Sequence, residues 1–226
     1  VPPLSALIHQ IAAGDSHTCF LLENKTFMCA GGGSLKYGLT GNVNKNVPKQ
    51  ADQGGKPSNT IQISAGSNYT FFLEASLGVV AAGFKSPSNQ LGFENTDESG
   101  FHSPNLNTNK IKQVITSGHS AFYLEVNGKV FASGDNSKNQ LGLIDTKAKD
   151  KPEEVSFPST VNITQITAGV NSFFGSAHAC FLDSHGNVYC TGSGIRGQIG
   201  GDSDHDSPTK IIGLKVKQPV SFTPEQ

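Results

Sequence analysis

Ile11-Ala12-Ala13-Gly14-Asp15-Ser16-His17-Thr18-Cys19-Phe20-Leu21 is the first of four copies of one pattern. The others open at Ile63-Ser64-Ala65-Gly66, Ile115-Thr116-Ser117-Gly118 and Ile166-Thr167-Ala168-Gly169. The four glycines stand 52, 52 and 51 residues apart. Each is followed by an apolar stretch ending at Leu21, Leu73, Leu124 or Leu182. A short turn and a small-residue strand ending in Gly31, Gly83, Gly134 or Gly192 come next. Gln90-Leu91-Gly92, Gln140-Leu141-Gly142 and Gln198-Ile199-Gly200 then recur, with Tyr37-Gly38-Leu39 as a degraded first copy. Pro48, Pro104, Pro152 and Pro208 close the units before a last short strand.

A period near 51 residues with three or four short strands per unit is the signature of a propeller blade. Helical repeats of that length would show apolar positions at 3.6 spacing. These segments alternate instead, and they carry Gly where a helix would lose about 1 kcal/mol at each. The expected fold is therefore all-β, a β-propeller built of four consecutive blades. One domain over 1–226 is expected, with blades near 9–57, 58–110, 111–160 and 161–214 and a C-terminal tail at 215–226.

Composition agrees. Among 226 residues, 35% are hydrophobic, only 15% are charged and 26 are Gly, which suits short strands and tight turns. A net charge of −1 leaves no basic field for a nucleic acid or an anionic membrane. No apolar run approaches the roughly 18–20 residues that span a bilayer. The sequence opens Val1-Pro2-Pro3, without Met or a signal-peptide pattern, so a processed product or a piece of a longer polypeptide is expected.

The pattern resembles the regulator of chromosome condensation repeat across essentially the whole chain. His17 and His178 hold its His position; Tyr69 replaces it in the second copy, and His119 lies nearby in the third. The resemblance implies a ring of seven blades, of which four are here. The family often has Trp before the Gly that ends the second hairpin strand, whereas Ala30, Ala82, Ser133 and Thr191 stand there. An arc cut from such a ring exposes blade faces built to be buried. Further segments or copies, or a protein partner, are therefore expected to complete it; a closed ring of four is the alternative.

The four cysteines carry the most informative chemistry. Cys19 and Cys29 are ten apart, as are Cys180 and Cys190, at matching repeat positions. If each pair flanks a hairpin turn centred on Asn24 or His185, the two thiols oppose each other across adjacent strands. Opposed Cα atoms lie about 4.5–5.5 Å apart, within disulfide reach. The other copies place Phe71 with Ala81 and Phe122 with Ala132 there, a large residue facing a small one. Buried free thiols are the alternative. Disulfides imply an oxidising compartment, hence a secreted or cell-surface protein.

Three Asn-X-Ser/Thr sequons occur, at Asn24, Asn68 and Asn162, about the number chance supplies in such a chain. Asn24 sits at a hairpin tip, Asn162 on the same side of the ring, and Asn68 on the opposite side. N-linked glycan is expected at Asn24 first, then at Asn162. The fourth copy is longer than the first between its Gly and its Leu, adding Val170-Asn171-Ser172-Phe173-Phe174-Gly175. Phe173 and Phe174 are candidates for partner contact or for plugging the channel. Asp202, Asp204 and Asp206 alternate as in a calcium loop, but the Gly and Glu such a loop needs are missing. They read as a weak metal candidate inside a solvated loop. No nucleophile elbow, phosphate cradle or zinc-hydrolase motif occurs, so no catalysis and no cofactor are expected. The expected role is a non-catalytic extracellular protein-interaction or structural module. The resemblance also implies an alternative, a guanine-nucleotide exchange factor for a small GTPase.

Overall fold

The fold was taken from a computed structural model. It describes residues 7–31, 45–49, 57, 59–75, 78–83, 92, 100–106, 108, 110–171 and 176–214, with backbone alone at 45–49 and 171. Phe173, Phe174 and the tail 215–226 lie outside the described residues.

Among the described residues the regular elements are β-strands grouped into four antiparallel sheets. The first sheet runs β1 (Ile8–Ala13), β2 (His17–Leu22), β3 (Phe27–Gly31) and β4 (Lys45–Lys49), in chain order. The second holds β5 (Thr60–Ala65), β6 (Tyr69–Glu74) and β7 (Gly78–Gly83). An antiparallel bridge from Ala81 to His102 stands in its fourth place. The third contains β8 (Ile111–Ser117), β9 (Ser120–Glu125), β10 (Val130–Gly134) and β11 (Lys149–Glu154). The fourth contains β12 (Ile163–Asn171), β13 (Ser176–Asp183), β14 (Val188–Gly192) and β15 (His205–Lys210). Neighbours in sequence are neighbours in each sheet, as in a propeller blade.

Side chains alternate between two faces along each strand. One face looks forward to the next blade, the other back to the previous one. Cys19, Leu21, Phe27 and Cys29 pack forward against Ile63, Phe72 and Ala82. Phe71, Leu73, Val79 and Ala81 pack against Val114, Ala121 and Tyr123. Phe122, Leu124, Val130 and Ala132 pack against Ile163, Ile166, Ala179 and Phe181. The core is thus three apolar layers between four sheets.

The ends of this stack differ from its middle. Ile11 pairs with Phe20 as Ile63 pairs with Phe72, Val114 with Tyr123 and Ile166 with Phe181. Ile63, Val114 and Ile166 are at most 1% exposed, yet Ile11 is 60% exposed. Among the described residues no cluster joins the fourth sheet to the first. Among the described residues the four sheets make an open arc, with the fourth not packed on the first.

Two expectations are corrected. The third copy aligns one residue earlier than its Ile-X-X-Gly text suggests, because Val114, not Ile115, holds the place of Ile11. Ser117 therefore stands where the other copies have Gly14, Gly66 and Gly169. The insertion in the fourth copy is, up to Asn171, an extension of strand rather than a loop. Val170 pairs with Ala177 and Asn171 with Ser176, lengthening β12 and β13 beyond their counterparts.

Candidate functional site: blade junctions and open faces

The hairpin register is the one the cysteine spacing predicts. Cys19 faces Cys29, Cys180 faces Cys190, Phe71 faces Ala81 and Phe122 faces Ala132. Both cysteine pairs are disulfide-bonded, with Cα–Cα separations of 4.1 Å. Their settings differ. Cys19–Cys29 is fully buried in the junction between the first and second blades. Cys180–Cys190 lies on the forward face of the fourth blade, where, among the described residues, its apolar neighbours Val188, Ile199 and Ile211 come from that same blade.

At each junction an aromatic pair crosses between sheets. Phe27 and Phe72 have ring centroids 4.3 Å apart, Phe71 and Tyr123 5.6 Å, and Phe122 and Phe181 6.1 Å. The last two pairs are near edge-to-face, the favoured geometry of ring quadrupoles.

The ring at the His position sits over the glycine three residues before it in the first two copies. A Cβ on Gly14 would lie 2.4 Å from the His17 ring, and one on Gly66 2.2 Å from Tyr69. Gly169 stands likewise against His178 at 2.7 Å. In the third copy the ring is replaced by Ser120, and Ser117 replaces the glycine; nearby His119 is exposed. Gly and ring are one steric unit.

These rings reach the following blade. His17 Nε2 lies 2.8 Å from Thr70 Oγ1, and the Tyr69 hydroxyl donates to the Ser120 carbonyl at 2.9 Å. His17 Nδ1 is buried and has no partner among the described residues. Burial pushes the His17 imidazole below its usual range, against a smaller upward pull from Asp15. Burial lowers His178 as well. A depressed folded-state pKa means that the unfolded chain takes up protons first as pH falls. This part of the stability is therefore present above pH about 6.5 and is lost as pH drops through the lower folded values. Denaturant midpoints measured between pH 7.5 and 5 are expected to fall, with a shallower fall in His17→Gln.

A second device runs along the inner strands. An edge strand leaves N–H and C=O groups unpaired. At each internal junction a glutamine of the preceding blade caps one such peptide group. Gln10 donates to the Ile63 carbonyl and accepts from the Ile63 N–H, both at 2.9 Å. Gln62 clasps Val114 at 3.0 and 2.9 Å. Gln113 clasps Ile166 at 3.3 and 3.0 Å. The sequence reading missed these residues, although the signal stands there as Gln10-Ile11, Gln62-Ile63, Gln113-Val114 and Gln165-Ile166.

The Gln-Leu-Gly segments are junction parts too. Leu141 is buried in the third apolar layer, and a Cβ on Gly142 would lie 3.1 Å from Pro208 of the next blade. Gly92 meets Pro152 in the same way, at 3.2 Å. Thr191, at a position where the family often has Trp, donates its hydroxyl toward the carbonyls of Asn139 and His205.

The remaining candidates are placed as follows. Asn24 is exposed at the β2–β3 turn, and its Oδ1 accepts from the Thr26 N–H and hydroxyl at 3.1 and 2.7 Å. Asn162 is exposed beside Gly128, and its carbonyl accepts from Ser184 in the β13–β14 turn. Asn68 is half-buried in the β5–β6 turn, whose strands run to the opposite side. Asp204 accepts from the Gly194 N–H at 2.8 Å, and Asp206 accepts from Asn139 Nδ2. Asp202 is exposed, and no three His, Cys, Asp or Glu gather as a metal site among the described residues. Among the described residues the candidate machinery is a set of surfaces, without an acid–base constellation.

Models of the regulator of chromosome condensation (RCC1) repeat match residues 127–174, and also 8–36 and 163–198. Human HERC3, a probable E3 ubiquitin-protein ligase, is 33% identical over 106 residues, which are 46% of this chain and 10% of HERC3. The ultraviolet-B receptor UVR8 of Arabidopsis thaliana is 25% identical over 214 residues, 92% of this chain and 47% of UVR8. The fold is similar to yeast RCC1 (Prp20), solved bound to Kap60. That likeness has a TM-score of 0.77 at 22% identity, over 95% of this chain and 52% of Prp20. Prp20 of Saccharomyces cerevisiae has also been solved with an account of its binding to Gsp1p and histones. The fold and its junctions define a β-propeller arc. This chain carries RCC1 repeats where those models match, and it spans between a tenth and about half of the length of these relatives.

Proposed function

We propose that this chain is a non-catalytic protein-interaction module of the extracellular space or cell surface, carrying N-linked glycan and completed by further blades. The observation that carries the reading is the pairing of both cysteine couples at one hairpin position, Cys19–Cys29 and Cys180–Cys190. Structural disulfides persist in oxidising compartments and are rare in the cytosol and nucleus. The exposed turn sequon at Asn24 and the near-neutral charge support the same setting. Glycan is assigned first to Asn24, on an exposed tip clear of the junctions, and then to Asn162.

Thiol titration of the denatured, non-reduced protein from its native source is expected to find none of four thiols free. Peptide mass mapping is expected to place glycan on Asn24. Four free thiols would overturn the extracellular assignment. The likeness to Prp20, studied with Gsp1p, favours a second reading as an exchange factor. Accelerated nucleotide release from a Gsp1p-type GTPase would select it; no acceleration is expected.

A further inference from the structure

The first strands of successive blades touch one another, β1 with β5, β5 with β8 and β8 with β12. They form the inner wall of the arc, where a propeller has its central channel. Each of these strands carries a β-bulge at the same place. Ile8 pairs with Leu22 and Gln10 with Leu21, and the steps from Thr60 to Gln62, Ile111 to Gln113 and Ile163 to Gln165 repeat it. His9, Ile61, Lys112 and Thr164 are therefore the extra residues, unpaired across the strands. A bulge re-aims its side chain out of the regular ladder. The four make one row along the inner wall.

This row behaves unlike the junction parts. The glutamine after it is the same in all four copies, and at the three internal junctions it clasps the same peptide group of the next blade. The bulge place instead holds an imidazole, an alkyl chain, an ammonium and a hydroxyl in turn. The stacking of blade on blade does not fix its chemistry. Ile61 and Lys112 are exposed, although the second and third blades are covered by a neighbour on either side. Their exposure is toward the channel. A cleft of about 490 Å³ opens there, spanning the second, third and fourth blades and lined by Ile61, Leu73, Lys112 and Thr164 with the clasping Gln62 and Gln113. Its volume is in the range of small-molecule sites.

The lining groups differ in what they still have to offer. Gln62 and Gln113 have their amide groups engaged by Val114 and Ile166. The Thr164 hydroxyl donates to the Leu182 carbonyl at 3.2 Å. Lys112 has no ion pair among the described residues, whereas Lys129 holds Glu154 at 2.9 Å and Lys149 holds Asp145 and Glu153 at 3.0 and 3.1 Å. Burial pushes the Lys112 ammonium below its usual range, with no opposing pull from a carboxylate. A partly desolvated cation gains from an anion that restores its lost hydrogen bonds. A single positive charge beside an apolar wall suits a monoanion with an apolar body better than a phosphate dianion. We infer that this channel-side cleft binds a small organic carboxylate, its carboxylate on the Lys112 ammonium and its apolar body along Ile61 and Leu73.

Calorimetric titration of octanoate into the oxidised 226-residue chain, with methyl NMR of Ile61 and Leu73, tests it. Saturable binding that shifts those methyls is expected. Lys112→Met keeps the apolar stem and removes the charge. It is expected to weaken octanoate binding about tenfold to a hundredfold, the worth of one hydrogen bond to a charged group. Lys138→Met, which removes an exposed lysine of the β10–β11 loop, is expected to change nothing. Ile61→Glu puts a carboxylate into the cleft itself and is expected to abolish binding. Octanamide is expected to bind the wild type no better than it binds Lys112→Met, and acetate, lacking the apolar body, to bind more weakly than octanoate. Unchanged thermal unfolding of the variants shows that the fold survives. Methyls that stay put at millimolar octanoate overturn the inference, as do equal losses in Lys112→Met and Lys138→Met. An acidic peptide that shifts these methyls where octanoate does not would also overturn it, and would assign the cleft to a protein partner's side chain.

Discussion

Phe72→Ala is expected to destabilise the chain by about 3–5 kcal/mol, the range for deleting a buried phenylalanine from a packed core. Phe72 is fully buried, with its ring centroid 4.3 Å from Phe27 and 5.8 Å from Phe101. It is the back-face residue that seals the first junction against Cys19–Cys29, Leu21 and Ile63. Two rigid sheets cannot easily collapse into the space it leaves, so a cavity cost adds to the lost transfer energy. Urea denaturation would show a lower midpoint with an unchanged slope. Phe20 provides the comparison, for it holds the same register place on β2 but is only half-buried. Phe20→Ala is expected to cost less than about 1.5 kcal/mol, because an exposed ring surrenders less transfer energy. Equal losses at the two sites would mean that the back face of the first blade is covered within the chain.

Gly66→Ala should be nearly as damaging, at about 3 kcal/mol, the upper end of the usual overpacking cost. The added methyl would lie 2.2 Å from Cζ of Tyr69 and 2.6 Å from its hydroxyl oxygen. The ring has nowhere to go: Tyr69 is fully buried and its hydroxyl holds the Ser120 carbonyl. Ser117, the matching residue of the third blade, already carries a Cβ because Ser120 leaves room. Ser117→Ala is accordingly expected to cost under 1 kcal/mol or so, within the range of near-isosteric swaps. In a Tyr69→Ser background the penalty of Gly66→Ala should vanish, giving a coupling of about 2–3 kcal/mol in a double-mutant cycle. Additive losses would show that the glycine answers the backbone rather than the ring.

Much of the fold was legible because the repeat compares four solutions to one packing problem within a single chain. Cys facing Cys in two blades and Phe facing Ala in two others specify the hairpin register, since period-two alternation leaves one alignment that keeps all four pairs opposed. The glutamine clasps were equally present in the text, one residue before each inner-strand aliphatic. They went unread because a polar residue at a strand start carries no periodic signal of its own. Its meaning depends on a peptide group some 50 residues later, and only the blade-to-blade stacking brings the two together. The third copy misled for a related reason: Ile115-Thr116-Ser117-Gly118 matches the text of the other copies, but burial of Val114 against Tyr123 outweighs that match and shifts the strand by one.

The sequence by itself determined the all-β repeat, the strand pairing within each blade and the partners of all four cysteines. These are local matters, set by alternation and turn spacing over a few tens of residues. Tertiary structure decided the rest, because burial is a property of neighbours. It placed one disulfide inside a junction and the other on an open face. It turned His17 into a buried contact with Thr70, and it buried Ile63, Val114 and Ile166 while leaving Ile11 exposed. The stacking of one blade on the next is set by contacts about fifty residues apart, which no local pattern can display.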